Sequence, residues 1–416
     1  MAILTNTPLD VANGTTTSEE PPKPYTPAEL DASKLVINLV DKPRPIPAPE
    51  TLIFGETKTD HMLVVHYDPI KGWSAPEIKP YGPLSIDPAS SCLQYCSNVF
   101  EGMKAYIGPD GEARLFRPEK NMERLAQSTA RVALPPFNQD ALLTLIKRLV
   151  VVDKRWIPTK SGYSLYIRPT IIGTRTSLGL RYSDSATLFV ILSPSGPYFK
   201  SGLHPISLLA VSEKVRAWPG GTGAHKLGAN YAPSFQPQID ATSKGYDQIL
   251  WLLEADCQSG EKRKKELRIT EVGAMNVFVV IKRDDGNLDL FTPPLDGTIL
   301  PGVTRASTLA LADAHTTGDT TLPGVPANLK IHTHEQPITM DMLSSLHSEG
   351  RILEFFIVGT AAILVPVDRI GWNGEDLKLS LVSDDGLGMV GRGILQMVTS
   401  VQTGRIEFEN WSVRCE

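Results

Sequence analysis

Cysteine is scarce in this chain: Cys92, Cys96, Cys257 and Cys415 are the only four in 416 residues, and no two form a CxxC pair. That scarcity excludes a disulfide-stapled fold and leaves free thiols in a reducing compartment. Long hydrophobic runs are missing as well. The longest notable uncharged apolar run, Phe355 to Val367, has 13 residues, where a helical membrane span needs about 20. No charge sign dominates: 41 Lys and Arg face 46 Asp and Glu, a net of −5. A mildly acidic chain suits neither bulk phosphate-backbone binding nor an anionic surface, so neither nucleic acid nor membrane is expected as a partner. The first 33 residues hold no Arg and one Lys, Lys23. A transit peptide needs more Arg, and a secretory signal needs an apolar centre. The segment reads as a mostly disordered tail, and the chain as cytoplasmic, with a mitochondrial location left open.

What is present is an ordinary globular composition, 41% hydrophobic and 21% charged. At about 150 residues per domain, the length suggests two or three domains. Short alternating or apolar runs predict strands at 61–67, 113–116, 164–172, 187–192, 206–211, 248–253, 269–280 and 355–358. Helical spacing marks 118–130, 140–152, 304–312 and a final stretch from about Arg392. A Pro/Gly/Ser cluster at 193–202 is the best linker. It separates an irregular extension (1–50) and a smaller domain (51–192) from a larger one (203–416). Strands and helices mix without a strict βαβ rhythm, which predicts an α+β (mixed α/β) fold rather than a barrel.

Several motifs compete for the chemistry. Gly386-Leu-Gly388-Met-Val-Gly391 matches GxGxxG, but only 25 residues follow it. That is too few for a dinucleotide-binding unit, so a glycine loop before a helix is the better reading. The loop at 219–228 resembles a phosphate loop without the hydroxyl residue after its Lys. His332 and His334 share one strand face but lack a third ligand, so no metal site is expected. The basic stretch 258–268 reads as a solvated hairpin tip.

The stronger constellation surrounds Lys226. Glycines at 220, 221, 223 and 228 let backbone run close to a bound group. A Lys held in a desolvated pocket there acts as a nucleophilic amine, whereas a stray surface Lys would do nothing. Tyr231 can offer a phenol to the same pocket. Leu300-Pro-Gly-Val303-Thr304 leads into a helix with Thr304 as its expected N-cap, and free amides at a helix start hold anions. Thr360 sits in a second small-residue turn, and Glu271 could hold a pyridine ring protonated. A reactive Lys with two amide-rich turns suits pyridoxal 5'-phosphate better than a nucleotide.

Taken together, the chain resembles the branched-chain amino-acid aminotransferases of the class IV pyridoxal-phosphate enzymes over roughly 51–412. The resemblance rests on ordered blocks: Thr59-Asp-His-Met-Leu63, Val99-Phe-Glu-Gly-Met-Lys-Ala-Tyr106, Leu115-Phe-Arg-Pro118, Asn121-Met-Glu-Arg124, Leu165-Tyr-Ile-Arg-Pro169, Lys226-Leu-Gly-Ala-Asn-Tyr231, Gly245-Tyr-Asp-Gln-Ile-Leu-Trp251, Thr270-Glu-Val-Gly-Ala-Met-Asn276 and Gly297-Thr-Ile-Leu-Pro-Gly-Val303. It implies a two-domain, D-amino-acid-aminotransferase-like fold and a homodimer. It also implies transfer of the amino group of Leu, Ile or Val to 2-oxoglutarate, giving 2-oxo acids and glutamate. A D-amino-acid aminotransferase or an aminodeoxychorismate lyase of the same fold is the alternative.

By the same resemblance, Lys226 carries the cofactor covalently, Tyr231 contacts its phenolic oxygen and Glu271 its ring nitrogen. Arg124, Val303, Thr304 and Thr360 hold its phosphate. Phe54, Tyr95, Phe100, Tyr166, Arg168, Leu180, Ala361 and Ala362 match substrate-pocket positions, some reaching across from a neighbouring subunit. The linker at 193–202 matches a loop that covers the site. Three departures stand out. Ala274 replaces a Thr found in some members. Ala362 and Val365 replace a CxxC pair of the animal enzymes, so no thiol switch is expected. The stretch 258–268 lengthens a hairpin.

Overall fold

A computed structural model of the chain describes residues 27–197, 203–259, 262–379 and 383–416. The expected linker core at 198–202 and the first 26 residues lie outside these. So do residues 260–261 at the tip of the charged stretch.

Two sheets organise the molecule. Along its main path, the first sheet runs Val36–Ile37, Glu77–Pro80, His61–Asp68, Ala186–Ser195, Ser164–Gly173, Met103–Ile107, Ala113–Phe116 and Ser412–Arg414. Its neighbours are mostly antiparallel. Helices Pro118–Arg131 and Gln139–Val152 cover one face. Leu142, Leu145, Ile146 and Leu149, spaced to form one helical stripe, bury against Leu115, Ile167 and Leu188 of the sheet. Asn138 caps the second of these helices by accepting from the Ala141 amide at 2.9 Å.

The second sheet follows the order Lys262–Val272, Gln248–Ser259, Ile206–Val211, Ile363–Trp372, Ile352–Gly359, Met275–Lys282, Leu288–Thr292 and Ile331–Glu335. Lys262–Val272 also pairs with Met275–Lys282, so six of these strands close on themselves. The expectation of no barrel is corrected here. The apolar run 269–280 is two strands, broken at Gly273, whose φ of +54 only glycine adopts readily. That turn swings the chain back and makes the closure. Inside the ring lie Leu208, Leu250, Val277, Ile357 and Val365. Helices Val303–Thr317 and Met389–Gln402 cover the outside over the stacked pair Phe278–Phe356, 5.5 Å between ring centres.

Two boundaries shift from expectation. From Ala28 on, the N-terminal segment is docked rather than disordered. Leu30 is 2% exposed, Ala28 bonds to Lys71, and Val36–Ile37 joins the sheet. At the other end the last strand, Ser412–Arg414, returns to the first sheet, where Trp411 packs on Phe116 and on the Arg117 guanidinium. Residues 203–416 therefore do not all lie on one side. The 258–268 stretch continues a long two-stranded ladder, from Leu253 opposite Arg268 out to Ser259 opposite Lys262.

Candidate active site

The glycine loop before Lys226 is held by its own backbone and one asparagine. Asn230 donates to the carbonyls of Thr222 and His225 at 2.9 Å each, and Thr222 donates to Asn230 at 2.7 Å. A methyl group on Gly228 would sit 2.2 Å from the Asn98 side-chain oxygen, so only glycine lets the loop meet the first sheet. The Lys226 amide donates to Ser128 of helix Pro118–Arg131 at 2.9 Å, and its carbonyl accepts from Phe100 at 3.1 Å. Lys226 is thereby pinned in the seam between the sheets. Its Nζ lies 3.2 Å from the Tyr231 hydroxyl, because a short 3-10 turn folds Tyr231 back over the loop.

Around this amine lies a cavity of about 400 Å³. Its wall includes Lys226, Tyr231, Arg124, Tyr166, Ala274, Val303, Thr304, Thr360 and Ala361. Among the described lining residues the charges are Arg124 and Lys226, with no Asp or Glu.

At one end stands Arg124. Its Nε and one terminal nitrogen donate to Glu101 at 2.6 and 2.8 Å, and the other nitrogen donates to the Pro301 carbonyl at 3.0 Å. Glu101 is 0% exposed. Burial pushes its carboxyl up, but the charge and hydrogen bonds of Arg124, with Lys226 and Asn121, bring it below the usual carboxylate range. Beside Arg124 begins helix Val303–Thr317. Thr304 was expected as its N-cap; the cap is Gly302, which has no side chain to offer. The first amides, Val303 and Thr304, are left for something in the cavity.

Behind the lining residues Leu300 and Asn276 is Glu271, 1% exposed, at the end of its strand. One oxygen accepts from the Leu300 amide at 3.1 Å and from Asn276 at 3.2 Å. The other lies 2.7 Å from Arg216 Nε without hydrogen-bond alignment, so it is buried with no aligned donor. Burial pushes this carboxyl above its ordinary value, against the opposing charge of Arg216.

The aromatic positions form one cluster. Phe54 meets Tyr166 edge-on at 4.7 Å, and Phe100 lies 5.0 Å from Tyr231. Arg168 stands 4.7 Å over Phe100 and donates to the Tyr166 hydroxyl at 3.1 Å. Three expected pocket residues are not brought in. Tyr95, ending the short helix Ser91–Tyr95, and Leu180, in the loop after strand Ser164–Gly173, are 41% and 87% exposed, and Tyr95 donates to the Leu178 carbonyl. Ala362 lines a different cavity, on the far side of the turn at 360–362.

Sequence reasoning assigned no role to Glu101, Asn276 or Arg216. The first two stood inside blocks already singled out. Arg216 left no local signal, since its partner Glu271 is distant in sequence.

The competing motifs resolve structurally. At Gly386–Gly391 the amides of Val390 and Gly391 donate to the Glu354 carboxylate at 2.9 and 2.8 Å, so the anion position is filled from within. His334 pairs with Asp289 at 2.8 Å and stacks on Phe291. Among the described residues no group of three metal-type ligands occurs.

A family model described as "Amino-transferase class IV" matches residues 98–370, more than half the chain. The chain belongs to the class IV aminotransferase family. Curated relatives of this aminotransferase include the mitochondrial branched-chain-amino-acid aminotransferase of Saccharomyces cerevisiae, 44% identical over 93% of this chain and 94% of that protein. The cytosolic enzyme of the same name and organism is 43% identical over 93% and 98%. Among solved structures, a branched-chain aminotransferase from the archaeon Thermoproteus uzoniensis, with norvaline, superposes with a TM-score of 0.63. At 22% identity, over 86% of this chain and 100% of that one, it shows the shared class IV fold.

Proposed function

We propose that this class IV aminotransferase binds pyridoxal 5'-phosphate and moves the amino group of leucine, isoleucine and valine to 2-oxoglutarate. One observation carries the reading. The Lys226–Tyr231 pair borders a cavity with no acid among its described lining residues and with Arg124 and an uncapped helix start at one end. Glu271, with one buried oxygen lacking an aligned donor, stands behind the lining residues Leu300 and Asn276.

The residues fit the cofactor by charge. A dianionic phosphate matches Arg124, the amides of Val303 and Thr304, and the Thr360 hydroxyl. A protonated ring nitrogen matches the Glu271 oxygen. When bound, pyridoxal phosphate supplies an electron sink that eases loss of the substrate Cα proton. Lys226 Nζ would take that proton from the substrate Cα and pass it on to the cofactor rather than back to Cα, with the Tyr231 hydroxyl fixing its direction. Glu271 holds the ring-nitrogen proton in place. Glu101 and Asn121 keep Arg124 oriented.

Phe54, Phe100 and Tyr166 give the aliphatic side chain an apolar wall, each buried methylene contributing about 0.8 kcal/mol. Arg168, bonded to the Tyr166 hydroxyl, receives the second carboxylate of glutamate. Tyr95 and Leu180 complete the pocket of a neighbouring copy in a homodimer. The exposed apolar group Leu93, Tyr95, Leu178, Leu180 and Tyr182 supports that arrangement. The cytoplasmic reading rests on the tail's single Lys and lack of Arg. Tagging residues 1–40 with a fluorescent protein tests it, and import into mitochondria would reverse it.

Borohydride treatment and peptide mapping should place a pyridoxyl phosphate tag on Lys226; a tag on any other Lys would reassign the site. An amino-acid panel with 2-oxoglutarate as acceptor should rank leucine, isoleucine and valine first.

A further inference from the structure

A second cavity, larger than the first at about 580 Å³, lies in the same seam on the far side of the turn at 360–362. Strand Met103–Ile107, residues 158–164 and helix Met389–Gln402 enclose it. Its charged lining residues are Lys104, Lys160 and Arg405, again with no acid among the described residues. Lys160 has a partner outside, Glu50 at 2.7 Å, and Arg405 is exposed at the rim.

Lys104 differs from both. Its Nζ donates to the Ala361 carbonyl at 2.6 Å, and no carboxylate pairs with it among the described residues. Burial pushes the amine down to about 8, so it stays largely protonated at neutral pH. Lys104 is half-buried, and a partly desolvated cation without a counter-charge is relieved by an anion. Tyr106 lines the same cavity. It is buried at 8% exposure, and its hydroxyl has no hydrogen-bond partner. That hydroxyl is itself sealed from solvent, so Tyr106 borders the cavity with its ring. The remaining wall is aliphatic, including Ile107, Ile363, Leu364 and Leu395.

We propose that this cavity is a second binding site, for a small carboxylate with an aliphatic body, and that it acts on the first site through the turn at 360–362. The coupling part of this proposal rests on the transaminase reading; the binding part does not. Ala361 lines both cavities, and its carbonyl is the acceptor of Lys104. The turn is also strained: Ile363, a β-branched residue, has a φ of +63. A carboxylate on Lys104 competes with the Ala361 carbonyl for the same amine. Ligand in the second cavity therefore loosens the turn that faces substrate in the first, and raises the KM for leucine.

The test uses the full-length, cofactor-loaded protein with hexanoate, which has neither an amino nor an oxo group to transfer. Calorimetric titration counts hexanoate sites per chain in the wild type, Leu395→Trp, which fills the cavity, and Lys104→Met. The expected result is one site fewer in both variants than in the wild type. Hexanoate should inhibit the wild type in mixed fashion against leucine and the variants only competitively. Equal site counts in all three proteins would overturn the proposal. The borohydride tag on Lys226 reports separately on the first site. A site lost in Leu395→Trp without any Lys226 tag would keep the cavity and discard the transaminase.

Discussion

Two helices of the second sheet, Val303–Thr317 and Met389–Gln402, begin in nearly the same way. Each follows a glycine, Gly302 or Gly388, and neither glycine caps with a side chain. At Met389–Gln402 the free amides close on Glu354. A methyl on Gly388 would fall 2.2 Å from the Glu354 side chain, so the glycines admit a carboxylate of the protein itself. At Val303–Thr317 the nearby carboxylate, Glu101, is committed to Arg124, and the amides open into the cavity. A glycine-rich helix start thus marks where an anion approaches. Tertiary structure decides whether that anion is internal or a ligand.

The comparison can be broken at several points. Lys226→Ala should cost the most: turnover falls about 10⁴-fold, the upper range for losing a general base, and the borohydride tag disappears. Retained tagging would move the cofactor elsewhere. Glu354→Ala strands two buried amides at about 1–3 kcal/mol each, so the melting temperature falls by several degrees while Lys226 is still tagged. If tagging is lost instead, the two helix starts are not independent.

Glu271→Gln should lower turnover about 100-fold, about 2.7 kcal/mol, without changing the circular dichroism spectrum. Arg168→Met should reduce kcat/KM for glutamate about 10- to 100-fold, as expected for a lost charged hydrogen bond, while leucine changes little. Equal losses for both substrates would take Arg168 out of carboxylate recognition.

The smallest effect concerns pH. Burial holds the Glu354 carboxyl above its ordinary 4.5, against the lowering effect of the amides it accepts. A raised acid favours the folded state most below pH 4.5, and that contribution is lost as pH rises through the folded value. Glu354→Gln should flatten this part of the stability curve, measured by denaturant melts from pH 4 to 7.

Much of the fold was legible because its signals are local. Helices at 118–130 and 140–152 were read from apolar spacing and are observed as Pro118–Arg131 and Gln139–Val152. Strands Ala113–Phe116 and Ile206–Val211 were bounded as observed. The misread pieces depend on distant partners. The strand expected at 187–192 runs on to Ser195 because Ser164–Gly173 pairs along its whole length. The run 269–280 was read as one strand because an apolar stretch does not reveal a left-handed turn at Gly273. In the site, Lys226 and Tyr231 were legible as neighbours in one loop. Glu271 was legible as an acid ending a strand-like run, Arg124 only through the family blocks, and Thr304 was misplaced by two positions because a hydroxyl residue is a stronger cap signal than Gly302.

The residues themselves set which groups can react: an amine in a glycine loop, a phenol five positions on, a carboxylate ending a strand, and apolar periods that bury one face of each helix. Their meeting point was decided by folding. Barrel closure sets Glu271 opposite Asn276, Glu101 fixes Arg124 beside the bare start of Val303–Thr317, and the return of the last strand ties the two sheets together. Local patterns are carried by neighbours in the chain, whereas charge pairing and exclusion of water depend on distances that exist only once the sheets have packed.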